Sequence, residues 1–147
     1  MNSRKPENLM RVSFPSRSVN ESLSRSLAAA FVALADPTVE ELCDIKTAVS
    51  EAVTNAIVHG YRDTLGVVYI TAALYPGGRF IITVRDRGCG IADIQKAREP
   101  LFTTCTTGER AGLGFAVMEE LMDKVKVRSR LGEGTIVTME RTLKTRE

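Results

Sequence analysis

Two strand pairs, each closed by a glycine-bearing turn, flank a long stretch that follows neither helix nor strand periodicity. That arrangement restricts the fold more than any other feature of the chain. "VVYITAALY" and "RFIITVRD" read as strands joined by Pro76-Gly77-Gly78, a hairpin signal of good strength. "VKVRSRL" sets Val125, Val127, Ser129 and Leu131 against Lys126, Arg128 and Arg130, one side buried and one basic. It turns through Gly132-Glu133-Gly134 into "TIVTMERT". Upstream, "LMRVSF" is a short strand ended by Pro15. A helix follows, with Ser18 and Glu21 expected as a capping box and Leu23, Leu27, Ala30, Phe31 and Leu34 as its apolar face. Asp36-Pro37 ends it, and Thr38 with Glu41 opens a second, longer helix that runs to His59 and stops at Gly60. Its apolar stripe is Leu42, Ile45, Val49, Ala52, Val53, Ala56 and Ile57. The expected fold class is α+β, a two-layer sandwich of helices on one face of a mainly antiparallel mixed sheet.

A chain of 147 residues is enough for one core, so residues 1–147 are expected to form a single domain. With 44% hydrophobic and 26% charged residues it has an ordinary globular composition. The net charge of +2 is too small to argue for nucleic acid or an anionic membrane. The start "MNSRKPENLM" is too polar for a signal peptide, and no apolar run is long enough for a membrane span. Cys43, Cys89 and Cys105 form no CxxC pair, which fits a reducing cytoplasm and argues against a cysteine metal site.

The irregular stretch from Asp86 to about Leu121 carries two of the chain's three Gly-x-Gly pairs, Gly88-Cys89-Gly90 and Gly112-Leu113-Gly114. None continues into a dinucleotide fingerprint, and no P-loop is present. The third pair, Gly132-Glu133-Gly134, reads as a hairpin turn. Long structureless stretches inside a compact domain are usually lids or binding loops. In "VRDRGCGI" a carboxylate, Asp86, ends an apolar strand just before glycines that admit a flat ring, and it can accept a hydrogen bond from an exocyclic amine such as adenine's. In "GERAGLGFAVMEEL" Gly112 and Gly114 precede a helix whose free amides suit a phosphate, with Arg110 beside them. On the long helix Glu51, Asn55 and His59 form a polar column at four-residue spacing along the edge of the apolar stripe. Taken singly, Asp86 reads as a turn cap, Arg110 as a solvated loop residue and the column as an exposed helix edge.

Together these boxes carry a resemblance. The order Glu51-x-x-x-Asn55, Asp86-x-Gly88-x-Gly90, Gly112-x-Gly114 and Gly134-Thr135 is similar to the motifs of the GHKL, or Bergerat, ATP-binding fold. Within it "VSEAVTNAIVHGY", "VRDRGCGI", "PLFTT" and "GERAGLGFAVMEELMD" resemble the bacterial anti-sigma serine kinases, and "NESLSR" resembles their sporulation branch. The similarity runs from about Met10 to about Thr142. It implies ATP/ADP and Mg²⁺ as cofactors, with Asn55 holding the metal and Glu51 as the general base. It implies nucleotide contacts from Asn55, Asp86, Gly88, Gly90, Thr106, Thr107, Arg110, Gly112, Gly114 and Thr135, under a lid at about 97–113.

The implied function is a nucleotide-dependent inhibitor of a sporulation sigma factor of the sigma F type, which phosphorylates its anti-anti-sigma antagonist on serine. A homodimer in the cytoplasm is implied, with no direct nucleic-acid or membrane partner. Arg25, read bottom-up as a solvated arginine, matches the position that grips both protein partners. The alternatives are a kinase of another, general-stress sigma system and a non-catalytic ATP-binding regulatory module. A histidine at the end of a helix, His59, matches no phosphoacceptor pattern and is expected to contact the helix C-terminus.

Overall fold

The computed structural model describes residues 5–91 and 111–144. Five strands, β1 (Asn8–Pro15), β2 (Val67–Tyr75), β3 (Arg79–Asp86), β4 (Lys124–Arg130) and β5 (Gly134–Thr142), form one sheet in the order β1-β2-β3-β5-β4. Every pairing among them is antiparallel. Three helices lie on one face: α1 (Val19–Ala33), α2 (Val39–Thr54) and α3 (Ala111–Leu121). The expected α+β two-layer sandwich is therefore present, and both hairpins close at the expected turns. The segment 92–110, which holds Thr106, Thr107, Arg110 and most of the expected lid, lies outside the described residues.

Alternation places the core. Val68, Ile70, Ala72 and Leu74 of β2 and Phe80, Ile82 and Val84 of β3 turn inward with Val137 and Met139 of β5. They meet Ile45, Val49, Ala52 and Val53 of α2 and Phe115 and Met118 of α3. Each such side chain contributes roughly 1.5–3 kcal/mol by leaving water. The Thr38 capping box forms as expected: Glu41 N donates to Thr38 Oγ1 at 3.0 Å, and Thr38 N donates to Glu41 Oε1 at 2.8 Å. The buried Glu41 carboxylate also accepts from Lys144 N at 2.8 Å, which ties the start of α2 to the end of β5.

Two expectations about α1 are corrected. Ser18 makes no side-chain cap, because its own backbone is already helical and Glu21 N donates to its carbonyl oxygen at 3.2 Å, while the Glu21 carboxylate is held by Ser50 Oγ and Arg25. The buried face is Ser24, Ala28, Phe31 and Val32, while Leu23 is 45% and Leu34 71% exposed. The two faces differ by about 100° of helical rotation, and the leucine spacing alone favoured the wrong one. Packing decides this: Phe31 reaches Phe80 across the core, with ring centroids 6.3 Å apart.

The end of the long helix also differs. From Asn55 to Gly60 the backbone winds as a π-helix, with Tyr61 N donating to Ala56 O at 3.0 Å. Such wide turns inside helices concentrate at functional sites.

Candidate functional site

The end of α2, its π-helical continuation, the end of β3 and the start of α3 converge on a narrow cleft. Its walls include Asn55, His59, Gly60, Asp86, Gly90 and Thr135, with Phe115, Val84 and Ile91 apolar between them. A mostly apolar slot with a few polar groups suits a planar heterocycle. His59 thus lines the cleft as well as standing near the helix end.

Asp86 is 6% exposed and sits at the inward-facing end of β3, opposite Thr135 in register. Burial pushes its carboxyl up to about 6, against the opposing hydrogen bonds from the Gly88 and Thr135 backbones. Gly88 N donates to Asp86 Oδ1 at 2.9 Å, which holds the carboxylate at the mouth of the glycine loop. The loop is pinned on two sides. Cys89 N donates to Gly60 O at 2.8 Å and Cys89 Sγ to His59 O at 3.1 Å. On the other side Gly132 N donates to Cys89 O at 2.6 Å and Ile91 N to Ser129 Oγ at 2.7 Å, with Ser129 Oγ 2.8 Å from Thr135 Oγ1.

Glycine is obligatory at two contacts here. A Cβ at Gly60 would lie 2.8 Å from the Cγ and both oxygens of Asp86, and a Cβ at Gly88 would lie 2.0 Å from Gly60 O. Gly60, expected only as a helix stop, therefore makes room for the Asp86 carboxylate. The third Gly-x-Gly pair also does more than turn a hairpin, since Gly134 packs with its Cα against the Asp86 backbone. The signals missed in the sequence are Gly60 and Ser129. Gly60 directly follows the polar column, but nothing in the sequence pairs it with Asp86. Ser129 reads only as an inward position of a strand.

Glu51 and Asn55 stand one turn apart, as their spacing requires, and Gly114 closes on both. A Cβ there would lie 3.0 Å from Asn55 Nδ2 and 3.2 Å from Glu51 Oε1. Gly112 and Gly114 fall inside the first turn of α3 rather than just before it. The Asn55 Nδ2 is buried with no hydrogen-bond partner, a polar group that a ligand at this spot would satisfy. Burial, and behind it the charge of Glu21, raise the Glu51 carboxyl from its ordinary value, in the direction of a better base.

Among the described residues no cluster of three His, Cys, Asp or Glu side chains could hold a metal. A cation here would take one protein oxygen from Asn55 and the rest from phosphates and water, the habit of Mg²⁺. Glu51 also opens, with Arg25, Lys46, Thr47 and Ser50, onto a groove between α1 and α2. Arg25 is 43% exposed there and pairs with Glu21 at 3.4 Å. Cys43 and Cys89 are free thiols, as expected, and among the described residues no helix is long and apolar enough to cross a membrane.

A cleft over an antiparallel sheet, with a carboxylate–amide pair on one helical turn, is accompanied by a match that defines the class. The profile of the histidine kinase-like ATPase domain matches residues 14–141, and the chain belongs to that family. Proteins named anti-sigma F factor are similar to it over nearly its whole length. One from Thermoanaerobacter sp. (strain X514) is 53% identical over 132 residues, covering 90% of this chain and 92% of its own. Another, from Heyndrickxia coagulans, is 51% identical over 138 residues, covering 93% and 94%. Among solved structures, the RsbU and RsbW domains of a Mycobacterium tuberculosis protein share the fold at TM-score 0.68 and 24% identity, over 94% of this chain. A blue-light activated histidine kinase from Erythrobacter litoralis matches 74% of the chain at TM-score 0.56 and 29% identity. The chain spans about a third of those two longer proteins, 32% in each case.

Proposed function

We propose that the protein is an anti-sigma factor and an ATP- and Mg²⁺-dependent serine protein kinase. In this reading a cytoplasmic homodimer holds a sporulation sigma factor of the sigma F type when nucleotide is bound. It releases that factor to an anti-anti-sigma protein, which it then phosphorylates on serine. The observation that carries the reading is the meeting of Glu51 and Asn55 at Gly114, with the Glu51 side open to the Arg25 groove. A pure nucleotide-binding module needs no carboxylate between its phosphate site and a protein-facing groove.

The resemblance supports a role for each residue. Asp86 accepts from the adenine amine, and the glycines of the loop let the ring approach the backbone. Gly112, Gly114 and the N-terminal amides of α3 take the phosphates, with Arg110, Thr106 and Thr107 contributing from the lid. Asn55 would hold Mg²⁺, which when bound neutralises phosphate charge. Glu51 accepts the proton of the attacking serine hydroxyl as its oxygen bonds to the γ-phosphorus and the bond to ADP breaks. Arg25 would pair with a partner carboxylate.

Affinity capture from an extract of sporulating cells, with MgATP and with MgADP, tests the reading. A sigma factor held with MgATP, and a small protein phosphorylated on serine in the same reaction, are the expected results. Capture of no sigma factor with either nucleotide would overturn it.

A further inference from the structure

The helices cover one face of the sheet, and the charge on the other face is not what a net charge of +2 suggests. Lys124, Lys126, Arg128 and Arg130 are all exposed along β4, at every second residue. Successive ones therefore lie about 6.6 Å apart on one line. Arg11 of β1, Arg79 and Arg85 of β3 and Arg87 just beyond it are also exposed and share this side of the sheet. Among the described strand positions of this face the carboxylate is Glu140, and it is bound to Arg79 at 3.0 Å. Eight of the fifteen described Lys and Arg residues thus lie on one side, and the rest of the described residues are net acidic.

The register defines what lies between them. Arg11, Thr71, Thr83, Thr138 and Lys126 form one row straight across the five strands. In the next row Ser13, Tyr69, Arg85, Ile136 and Arg128 follow in the same order. Tyr69 has the Arg87 guanidinium 5.2 Å and that of Arg85 6.0 Å from its ring centre, and Tyr75 has Arg79 at 5.2 Å. The central row is threonine, set between a row holding Leu9, Ala73 and Ile81 and one holding Tyr69 and Ile136. Hydroxyls and guanidiniums are the groups that bond phosphate and sugar. An open antiparallel sheet bearing aromatic rings is a platform for unstacked bases.

We propose that the uncovered sheet face binds single-stranded nucleic acid, with the β4 cations tracking its phosphates and Tyr69 stacking a base. The surface lies across the sheet from the nucleotide cleft, so it stands apart from the kinase reading. RNA and DNA offer the same phosphate, sugar and base chemistry, and both belong in the test.

The experiment is fluorescence anisotropy of labelled oligouridylate and oligothymidylate with the full chain, titrated over a range of salt. Saturable binding of either is expected, with log affinity falling against log salt by about 0.7 per phosphate neutralised. Lys126→Glu with Arg128→Glu should weaken it at least about tenfold, with ATP affinity and circular dichroism unchanged; the paired Gln variants serve if the Glu pair misfolds. Tyr69→Ala should weaken oligonucleotide binding several-fold and leave inorganic polyphosphate binding alone, roughly as loss of one base stack does. Absence of saturable binding, or binding indifferent to the β4 substitutions, overturns the proposal. So does equally tight binding of polyglutamate or of phosphatidylserine vesicles, which would assign the face to another class of anion.

Discussion

Replacing Asp86 with Asn should stabilise the empty protein at neutral pH while damaging its nucleotide site. The carboxyl has an ordinary value of 3.8 and is raised to about 6 in the fold, chiefly by burial. Between those two values the folded state keeps a proton that the unfolded chain has lost, so stability falls as pH rises through this window. Above about pH 6 the full cost is present, and the shift corresponds to about 3 kcal/mol. Asn carries no charge at any pH and removes that cost. It keeps an acceptor for Gly88 N, and the hydrogen bonds that favour the charged oxygen are already contained in that shift. The variant should therefore be more stable than the parent by up to about 3 kcal/mol near pH 8, and the advantage should vanish near pH 4. Urea unfolding of both proteins without nucleotide, at intervals across that range, measures the difference directly. ATP affinity should fall in the same variant, because the amide presents a donor to the adenine amine. Parallel stability curves for the two proteins would refute the reasoning, since the buried charge would then not be what opposes folding.

Glu51→Gln keeps the shape of the base and removes its function, so single-turnover phosphorylation should drop by about 10²–10⁴-fold with ATP affinity retained. Asn55→Ala should weaken MgATP far more than metal-free ATP, and equal losses in titrations with and without Mg²⁺ would remove Asn55 as the metal ligand. Arg25→Glu should abolish sigma-factor capture, a loss of roughly 2 kcal/mol or more, with unfolding midpoint and ATP affinity unchanged. Gly60→Ala drives a methyl into the Asp86 carboxylate and should cost about 1–3 kcal/mol of nucleotide binding. In a double-mutant cycle with Asp86→Asn, calorimetry should show that the two losses do not add.

Much of the architecture was legible because its signals are local. The β2–β3 hairpin announces itself by two strand-like runs around Pro76-Gly77-Gly78, and its strands begin and end where those runs do. Thr38 and Glu41 cap α2 because the reciprocal bonds span three residues and need no tertiary partner. The failures depended on distant groups. The Glu21 carboxylate is held by Ser50, which is 29 residues away, and that partner is invisible in the α1 sequence. The face of α1 was misjudged because its leucines outnumber the small residues that the core admits, Ser24 and Ala28. At the site, Glu51, Asn55 and Asp86 could be selected by spacing and resemblance. Gly60 and Ser129 could not, since each matters through a neighbour far along the chain.

The π-helical path from Asn55 to Gly60 makes the count of residues in this segment as important as their kinds. A wide turn accommodates a residue that an α-helical route would have no place for. Deleting any one of Ala56, Ile57 or Val58 lets the backbone relax to α winding with Gly60 near its present place, whereas inserting one more residue there swings everything after it by more than a quarter turn. Asn55 would stay beside Gly114, but Gly60 would rotate off Asp86 and carry the anchor of Cys89 with it. Phosphate side and base side would fall out of step although no contacting residue had been replaced. In descendants of this chain, an added residue along "AIVH" separates the two halves of the cleft.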